Sequence, residues 1–113
     1  MVVGRHAVAD IYDCKCNIDD LELIKTILLL SAKEANLHVV DVVFHKFEPV
    51  GISGVVVLSE SHITIHTWPE HNFVATDAFT CGSKMNPKEV LNIIAKKLNS
   101  NNYEIKDFNR GEI

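Results

Sequence analysis

The sequence SESHITIHTWPEHNFVATDAFTCG, residues 59–82, concentrates reactive side chains within 24 of the 113 residues of this chain. It holds three of the six histidines, the single tryptophan and one of the three cysteines. The residues outside this stretch are typical of a structural framework, because their patterns predict two amphipathic helices and several apolar strands. We therefore expect the chemistry of this protein to lie within residues 59–82.

A β-hairpin is predicted at the start of this stretch. Polar and apolar residues alternate over residues 63–67, and residues 53–58 include three consecutive valines, so both segments are expected to be strands. The continuous valines further predict a strand covered on both faces. If Ser59 and Glu60 form a two-residue loop, Ser53 lies opposite His66, within reach across the two strands.

The remaining pattern predicts a strand, a helix, four strands, a helix and a strand. The other strands are expected at residues 4–12, 38–47, 73–79 and 103–108, and the helices at about 20–36 and 86–98. Asn17 or Asp19 is expected to cap the first helix, and Asn86, followed by Pro87, the second. This order predicts an α+β fold, a two-layer sandwich of one mostly antiparallel sheet with both helices on one face.

The other face of that sheet would be bare, although its strands are rich in valine. Apolar sheet faces are seldom left exposed in monomeric proteins, so we expect a homodimer that pairs two such faces.

Composition and charge limit the classes of protein and partner. Apolar residues make up 47% of the chain and charged residues 23%, which is typical of a single folded domain. The net charge is −4, with no basic patch, so neither nucleic acid nor an anionic membrane is an expected partner. We find no membrane span or signal peptide pattern, and the odd cysteine count predicts reduced thiols in the cytoplasm.

A metal site built on His62 and His66 is not expected. The β-branched residues around them favour a strand, in which four steps separate the two Cα atoms by about 13 Å. Zinc ligand atoms lie about 2 Å from the ion, so these two histidines would not share one.

Residues 58–70, LSESHITIHTWPE, and the later FTCG at 79–82 closely resemble the short prokaryotic S-adenosylmethionine decarboxylase proenzymes. The motif GRH at residues 4–6 and FHKF at 44–47, with residues 51–57, fits the same family. The resemblance therefore covers nearly the whole chain and implies a pyruvoyl-dependent enzyme of polyamine biosynthesis.

The resemblance implies that the protein cuts its own backbone. The Ser61 hydroxyl would attack the carbonyl of Glu60, and the resulting ester would eliminate to leave a pyruvoyl group on residue 61. The products would be a β chain, residues 1–60, and an α chain, residues 61–113. In this family pattern His66 is the proton acceptor for processing and Ser53 assists it.

The resemblance also assigns roles in the decarboxylation. The pyruvoyl group derived from Ser61 would form a Schiff base with the substrate, and Cys81 would return a proton after CO₂ leaves. Phe47 would stack on adenine and Glu70 would bind the ribose, while Trp68 is expected to be mainly a packing residue. Asp77 is expected to be structural or a charge at the rim.

Strand spacing adds a condition to these roles. Five strand steps would separate His66 from Ser61 by about 16 Å within one chain. We therefore expect a homodimer with two shared active sites, in which each protomer supplies His66 to its partner.

Three alternatives remain open from the sequence. The same processing motif would serve a pyruvoyl-dependent arginine decarboxylase. The fold would also suit a ligand-binding dimer that never cleaves itself. Ser53 and His66 could form a hydrolase pair, although the Gly-x-Ser-x-Gly elbow of such enzymes is missing.

Overall fold

Six strands and two helices make up the part of the chain that the computed structural model describes, residues 1–59, 61–81 and 85–113. In chain order they are β1 Val2–Tyr12, α1 Leu21–Glu34, β2 Val39–Lys46, β3 Ile52–Leu58, β4 Ser61–Trp68, β5 Phe73–Cys81, α2 Pro87–Lys97 and β6 Asn102–Glu112. A short 3₁₀ helix, Pro69–His71, joins β4 to β5. The predicted order of strands and helices is confirmed.

The six strands form one sheet in the order β2-β3-β4-β5-β1-β6, and each neighbouring pair is antiparallel. Both helices pack on one face of the sheet, where inward-facing side chains of the strands and helices form one core. Its largest fully buried members are Ile11, Ile24, Leu28, Ile52, Ile63, Ile65, Leu91, Ile94 and Leu98. The prediction of an α+β fold with the helices on one face is therefore confirmed.

The hairpin between β3 and β4 has the predicted register. Leu58 pairs with Ser61, and Ser53 pairs with His66. The predicted two-residue loop falls on Ser59 and Glu60, and Glu60 itself lies outside the described residues.

The first helix is capped one residue later than predicted. Asp20 is the N-cap: its backbone is extended, and its carboxylate accepts a hydrogen bond of 3.1 Å from the amide of Leu23. Asn17 instead accepts a hydrogen bond from the amide of Asp19, so the assignment of the cap to Asn17 or Asp19 was wrong. The second helix begins as predicted, with Asn86 accepting from the amide of Lys88 at 3.0 Å.

Two strand predictions also need correction. Within the protomer β3 is covered on one face only: Val56 is fully buried, whereas Val55 and Val57 are 38% and 39% exposed. The last strand, predicted to end at Phe108 before a polar tail, continues to Glu112 because it pairs with β1 along its whole length.

The face of the sheet opposite the helices, called the open face below, carries both polar and large apolar side chains. Its large exposed side chains include Val8, Tyr12, Val43, Val55, Val57, Trp68 and Phe108. Both α1 and α2 lie on the other face. Among the described residues, no helix is long and apolar enough to cross a membrane.

Candidate active site

The predicted site residues fall into two groups at opposite ends of β4. Ser61 is the first residue of the strand, and His66 lies five residues later. The buried residues Ile63 and Ile65 face the helices, so by strand alternation Ser61 lies on the helix side and His66 on the open face. Because β4 is continuous, about 16 Å of strand separates the two residues within one protomer.

Ser61 and Cys81 lie together at one end of the sheet. Ser61 pairs with Thr80 across β4 and β5, and Cys81 follows Thr80 as the last residue of β5. Both residues line a cavity of about 420 Å³ between the end of the sheet and the two helices. The other lining residues are Ala35, Asn36, Leu37, His38, Ser59, Thr80, Met85 and Glu89. This end of the sheet thus places the predicted proton donor beside the predicted pyruvoyl precursor.

Gly4, the first residue of the GRH motif, pairs with Cys81 from the neighbouring strand β1. A Cβ atom at Gly4 would lie 2.7 Å from Cζ of Phe79 and 2.9 Å from the carbonyl oxygen of Thr80. Both distances are too short for a real contact, so glycine is needed where β1 passes the strand that ends in Cys81.

The other group surrounds a second cavity, of about 240 Å³, at the far end of β4. It is lined by Phe47, Val50, Gly51, Ile52, Ser53, His66, Thr67, Trp68 and Glu70. Four predicted site residues, Phe47, Ser53, His66 and Glu70, are therefore neighbours in space although they span more than twenty positions of the chain. Ser61 and Cys81 are not among them.

Ser53 and His66 form a hydrogen bond of 2.9 Å between the serine hydroxyl and Nδ1 of the imidazole. When Nδ1 carries the ring proton and donates it to the hydroxyl oxygen, Nε2 keeps a free lone pair. His66 is exposed on the open face, so that lone pair is accessible to a group brought from outside the protomer. This arrangement suits a proton acceptor held in one orientation.

Phe47 and Trp68 present aromatic rings at the same cavity. The Phe47 ring is 46% exposed and meets the His45 ring edge-on, with 4.5 Å between the centroids. Trp68 stacks on Phe73 at 5.4 Å, and Phe73 in turn lies 5.2 Å from Tyr12. The packing role predicted for Trp68 agrees with this row, whereas nearly half of the Phe47 surface is exposed at the cavity.

A polar cluster on the open face was missed in the sequence. Nε2 of His6 lies 2.6 Å from a carboxylate oxygen of Asp77, and Nε2 of His62 lies 3.8 Å from the same oxygen. The hydroxyl of Thr64 donates to the other oxygen of Asp77. These residues come from three adjacent strands, so the register of β1, β4 and β5 was the signal that could have found them.

The ligand atoms of His6, His62 and Asp77 lie within 4.8 Å of one another, as in a metal site. Arg110, however, lies 2.9 Å from Nδ1 of His6, and a guanidinium can only donate. Nδ1 must then accept, which leaves the ring proton on Nε2, directed at Asp77. We therefore describe the cluster as a hydrogen-bonded network, in which Asp77 has the structural role expected for it.

Comparisons with known proteins agree with these observations. A sequence profile of the S-adenosylmethionine decarboxylase family matches residues 5–111. The S-adenosylmethionine decarboxylase proenzyme of Thermoanaerobacter sp. (strain X514) is 52% identical over 110 residues, which cover 96% of this chain and 89% of that protein. The chain belongs to the S-adenosylmethionine decarboxylase family.

Two further similarities support the assignment to the S-adenosylmethionine decarboxylases. The corresponding proenzyme of Clostridium tetani is 46% identical, over 96% of this chain and 87% of its own. The crystal structure of the adenosylmethionine decarboxylase from Aquifex aeolicus superposes with a TM-score of 0.89 at 35% identity, covering 99% of this chain and 93% of that one. The fold of this chain is therefore that of a solved adenosylmethionine decarboxylase.

Membership of the S-adenosylmethionine decarboxylases confirms the predicted activity, decarboxylation of S-adenosylmethionine in polyamine biosynthesis, and the self-generated pyruvoyl group. Among the alternatives, it favours S-adenosylmethionine over arginine as substrate. The residues present fit the pyruvoyl group: Ser61 opens β4 directly after the hairpin loop and lines a cavity that Cys81 shares.

Proposed function

We propose that the chain cleaves itself between Glu60 and Ser61 and that each active site forms between two protomers. The observation that carries this proposal is the separation of Ser61 and His66 to opposite ends and opposite faces of β4. No rotation of a side chain closes about 16 Å, so His66 of the same protomer is out of reach of Ser61, which supports a base supplied by a second protomer.

In the processing step the Ser61 hydroxyl attacks the carbonyl carbon of Glu60, and His66 of the partner subunit accepts the hydroxyl proton. The peptide bond becomes an ester, which eliminates to residues 1–60 with a free carboxylate and a dehydroalanine at position 61. Hydrolysis of the dehydroalanine releases ammonia and leaves the pyruvoyl group. Ser53, hydrogen-bonded to Nδ1 of His66, orients the imidazole so that Nε2 faces the hydroxyl.

In the decarboxylation the pyruvoyl group supplies an electrophilic carbonyl that binds the substrate amine and accepts the electrons released with CO₂. Cys81, the neighbour of Ser61 at the same cavity, returns a proton to the substrate carbon. Phe47 and Glu70 of the second protomer bind the adenine and the ribose hydroxyls. The exposed ring of Phe47 and the anionic side chain of Glu70 suit those two groups.

The open face supplies the surface for this homodimer. Its apolar side chains, among them Val8, Val55 and Val57, form the kind of patch that monomeric proteins seldom expose. Two copies packed through this face in opposite directions would bring the His66 end of one protomer to the Ser61 end of the other. Because Ser61 is the first residue of β4, the imidazole would reach its hydroxyl around the end of the sheet. One two-fold axis would then generate two identical sites.

We place the reaction in the cytoplasm. Cys14, Cys16 and Cys81 are all free thiols, as is usual in a reducing compartment. A free thiol at Cys81 is also what its proposed role as proton donor requires.

Intact-mass measurement of the denatured protein tests self-cleavage most simply. The proposal predicts two species, residues 1–60 and residues 61–113 with a pyruvoyl group at position 61. A Ser61→Ala chain, which lacks the attacking hydroxyl, serves as control and should remain whole. A single full-length species for the unsubstituted chain after long incubation would support the alternative of a ligand-binding dimer that never cleaves.

A further inference from the structure

We propose that Asp19 is a positioning residue for substrate binding: it fixes the loop that carries Phe47 at the rim of the second cavity. The proposal rests on the adenine-stacking role proposed above for Phe47. Asp19 was expected to cap α1, but Asp20 does so and leaves the Asp19 carboxylate available for other contacts.

The carboxylate of Asp19 holds both ends of the loop between β2 and β3. One oxygen accepts a hydrogen bond of 2.8 Å from the amide of Gly51, the last residue before β3. The other oxygen lies 3.1 Å from the ammonium of Lys46, the last residue of β2. Lys46 in turn donates to the carbonyl oxygen of Phe47 at 3.2 Å. A single side chain from outside the sheet therefore contacts both ends of the loop.

The loop itself is closed by its own backbone. The amide of Phe47 donates to the carbonyl oxygen of Gly51 at 2.8 Å. Gly51 has a φ of +108°, a conformation that residues with a Cβ rarely adopt. On the other side the amide of Ile52 donates to the hydroxyl of Thr67 at 3.0 Å. Asp19 and Thr67 thus accept hydrogen bonds from the adjacent amides of Gly51 and Ile52. Of the two acceptors, Thr67 lines the second cavity and Asp19 does not.

The position of the Phe47 ring depends on this backbone because the ring is half exposed. It packs edge-on against His45, and its remaining surface is open. The hydrogen bond from Gly51 lowers the pKa of Asp19 below its ordinary value, because that contact stabilises the charged carboxylate. Removing the carboxylate would allow the loop to take other conformations, and a ligand that stacks on Phe47 would have to order it again.

Isothermal titration of the processed enzyme with 5′-methylthioadenosine tests the proposal. This probe contains the adenine and ribose of the substrate but lacks the amine that reacts with the pyruvoyl group. Its binding therefore measures the contacts made at the second cavity, without the reaction at residue 61. We expect Asp19→Ala to raise the Kd by about 5- to 20-fold, and Asp19→Asn, which keeps an acceptor for Gly51, by about 2- to 5-fold. KM should rise in the same order while kcat stays within about twofold.

The matched control is Asp20→Asn. It removes the same charge one residue away, and asparagine caps a helix as well as aspartate does, so Kd and KM should not change. Phe47→Ala provides the reference for loss of the ring itself and should weaken binding of the probe at least as much as Asp19→Ala.

Three results would overturn the proposal. If Phe47→Ala weakens binding but both Asp19 variants bind like the wild type, the loop does not need Asp19 and the role proposed for Phe47 stands. If Asp19→Asn, with an unchanged melting temperature, lowers kcat and leaves Kd unchanged, Asp19 acts on the chemistry and not on binding. If Phe47→Ala itself leaves Kd unchanged, the adenine contact is wrong and the role of Asp19 falls with it.

Discussion

Ser53 and His66 face each other across β3 and β4, with 2.9 Å between the serine hydroxyl and Nδ1 of the imidazole. The pair lies on the open face, at the end of β4 remote from Ser61. When Nδ1 donates its proton to the serine hydroxyl, Nε2 is the ring nitrogen that can accept a proton. In the crossed dimer proposed above, that nitrogen meets the Ser61 hydroxyl of the second protomer.

Replacing Ser53 by alanine should slow self-cleavage by about tenfold, because the imidazole loses the hydrogen bond that fixes its tautomer and orientation. The measurement is the rate at which fragment 61–113 appears after the denatured chain is refolded. Ser53→Thr is the matched control, since it keeps a hydroxyl on β3 opposite His66. Equal rates for Ser53→Ala and the wild type would show that His66 needs no orienting partner.

Replacing Cys81 by alanine should leave self-cleavage intact and lower kcat for decarboxylation by about 10²- to 10³-fold, because a proton donor is lost from the second reaction only. Fragment masses and CO₂ release, measured on the same sample, separate the two steps. Cys16→Ala is a control thiol: Cys16 lies elsewhere, within 3.5 Å of the carbonyl oxygen of Leu98. A Cys81→Ala enzyme with wild-type kcat would remove Cys81 from the mechanism.

A lysine at Val55 should break the dimer and with it self-cleavage. Val55 is 38% exposed in the protomer, so Val55→Lys costs the isolated fold little but would place a charge in the proposed interface. Sedimentation velocity should show a monomer, and intact mass a single uncleaved chain. Leu30→Lys makes the same change on the helix side, where Leu30 is 45% exposed, and should remain a cleaved dimer. A monomer that cleaves normally would disprove the shared site.

Stability at high pH should depend on Cys14. Burial, and next the neighbouring Cys16 and Asp13, raise the pKa of the Cys14 thiol from 9.0 to about 11. The folded state then holds its proton where the unfolded state has lost it, so the contribution is fully present below pH 9 and is lost as the pH rises to about 11. The free energy of unfolding should fall by about 1–2 kcal/mol over that interval. Urea denaturation of Cys14→Ala, which lacks the thiol, should show a correspondingly smaller fall; an equal fall would contradict the assignment.

Features that depend on neighbouring residues in the chain could be predicted from the sequence. The two-residue loop and alternating strands gave the register that pairs Ser53 with His66, and Asn86-Pro87 marked the start of α2 correctly. The distance between Ser61 and His66 within one chain could also be predicted from the rise per residue, because tertiary contacts do not shorten a continuous strand.

What could not be predicted depends on pairings between distant segments. Residues 109–112 look like a polar tail, yet they form a strand because β1 offers a free edge along its full length. The network of His6, His62 and Asp77 requires three strands in register. The contact of Asp19 with Gly51 depends on how the segment before α1 crosses the β2–β3 loop, which no local pattern encodes.

The crossed active site is tested most directly by co-expressing a His66→Ala chain with a Ser61→Ala chain. Neither chain should cleave when expressed alone, since one lacks the base and the other the attacking hydroxyl. In the mixed dimer, His66 of the Ser61→Ala chain should reach Ser61 of the His66→Ala chain. Intact mass should then show fragments 1–60 and 61–113 from the His66→Ala chain, beside an uncleaved Ser61→Ala chain. A mixed dimer, confirmed by affinity tags, in which both chains stay whole would contradict the crossed arrangement.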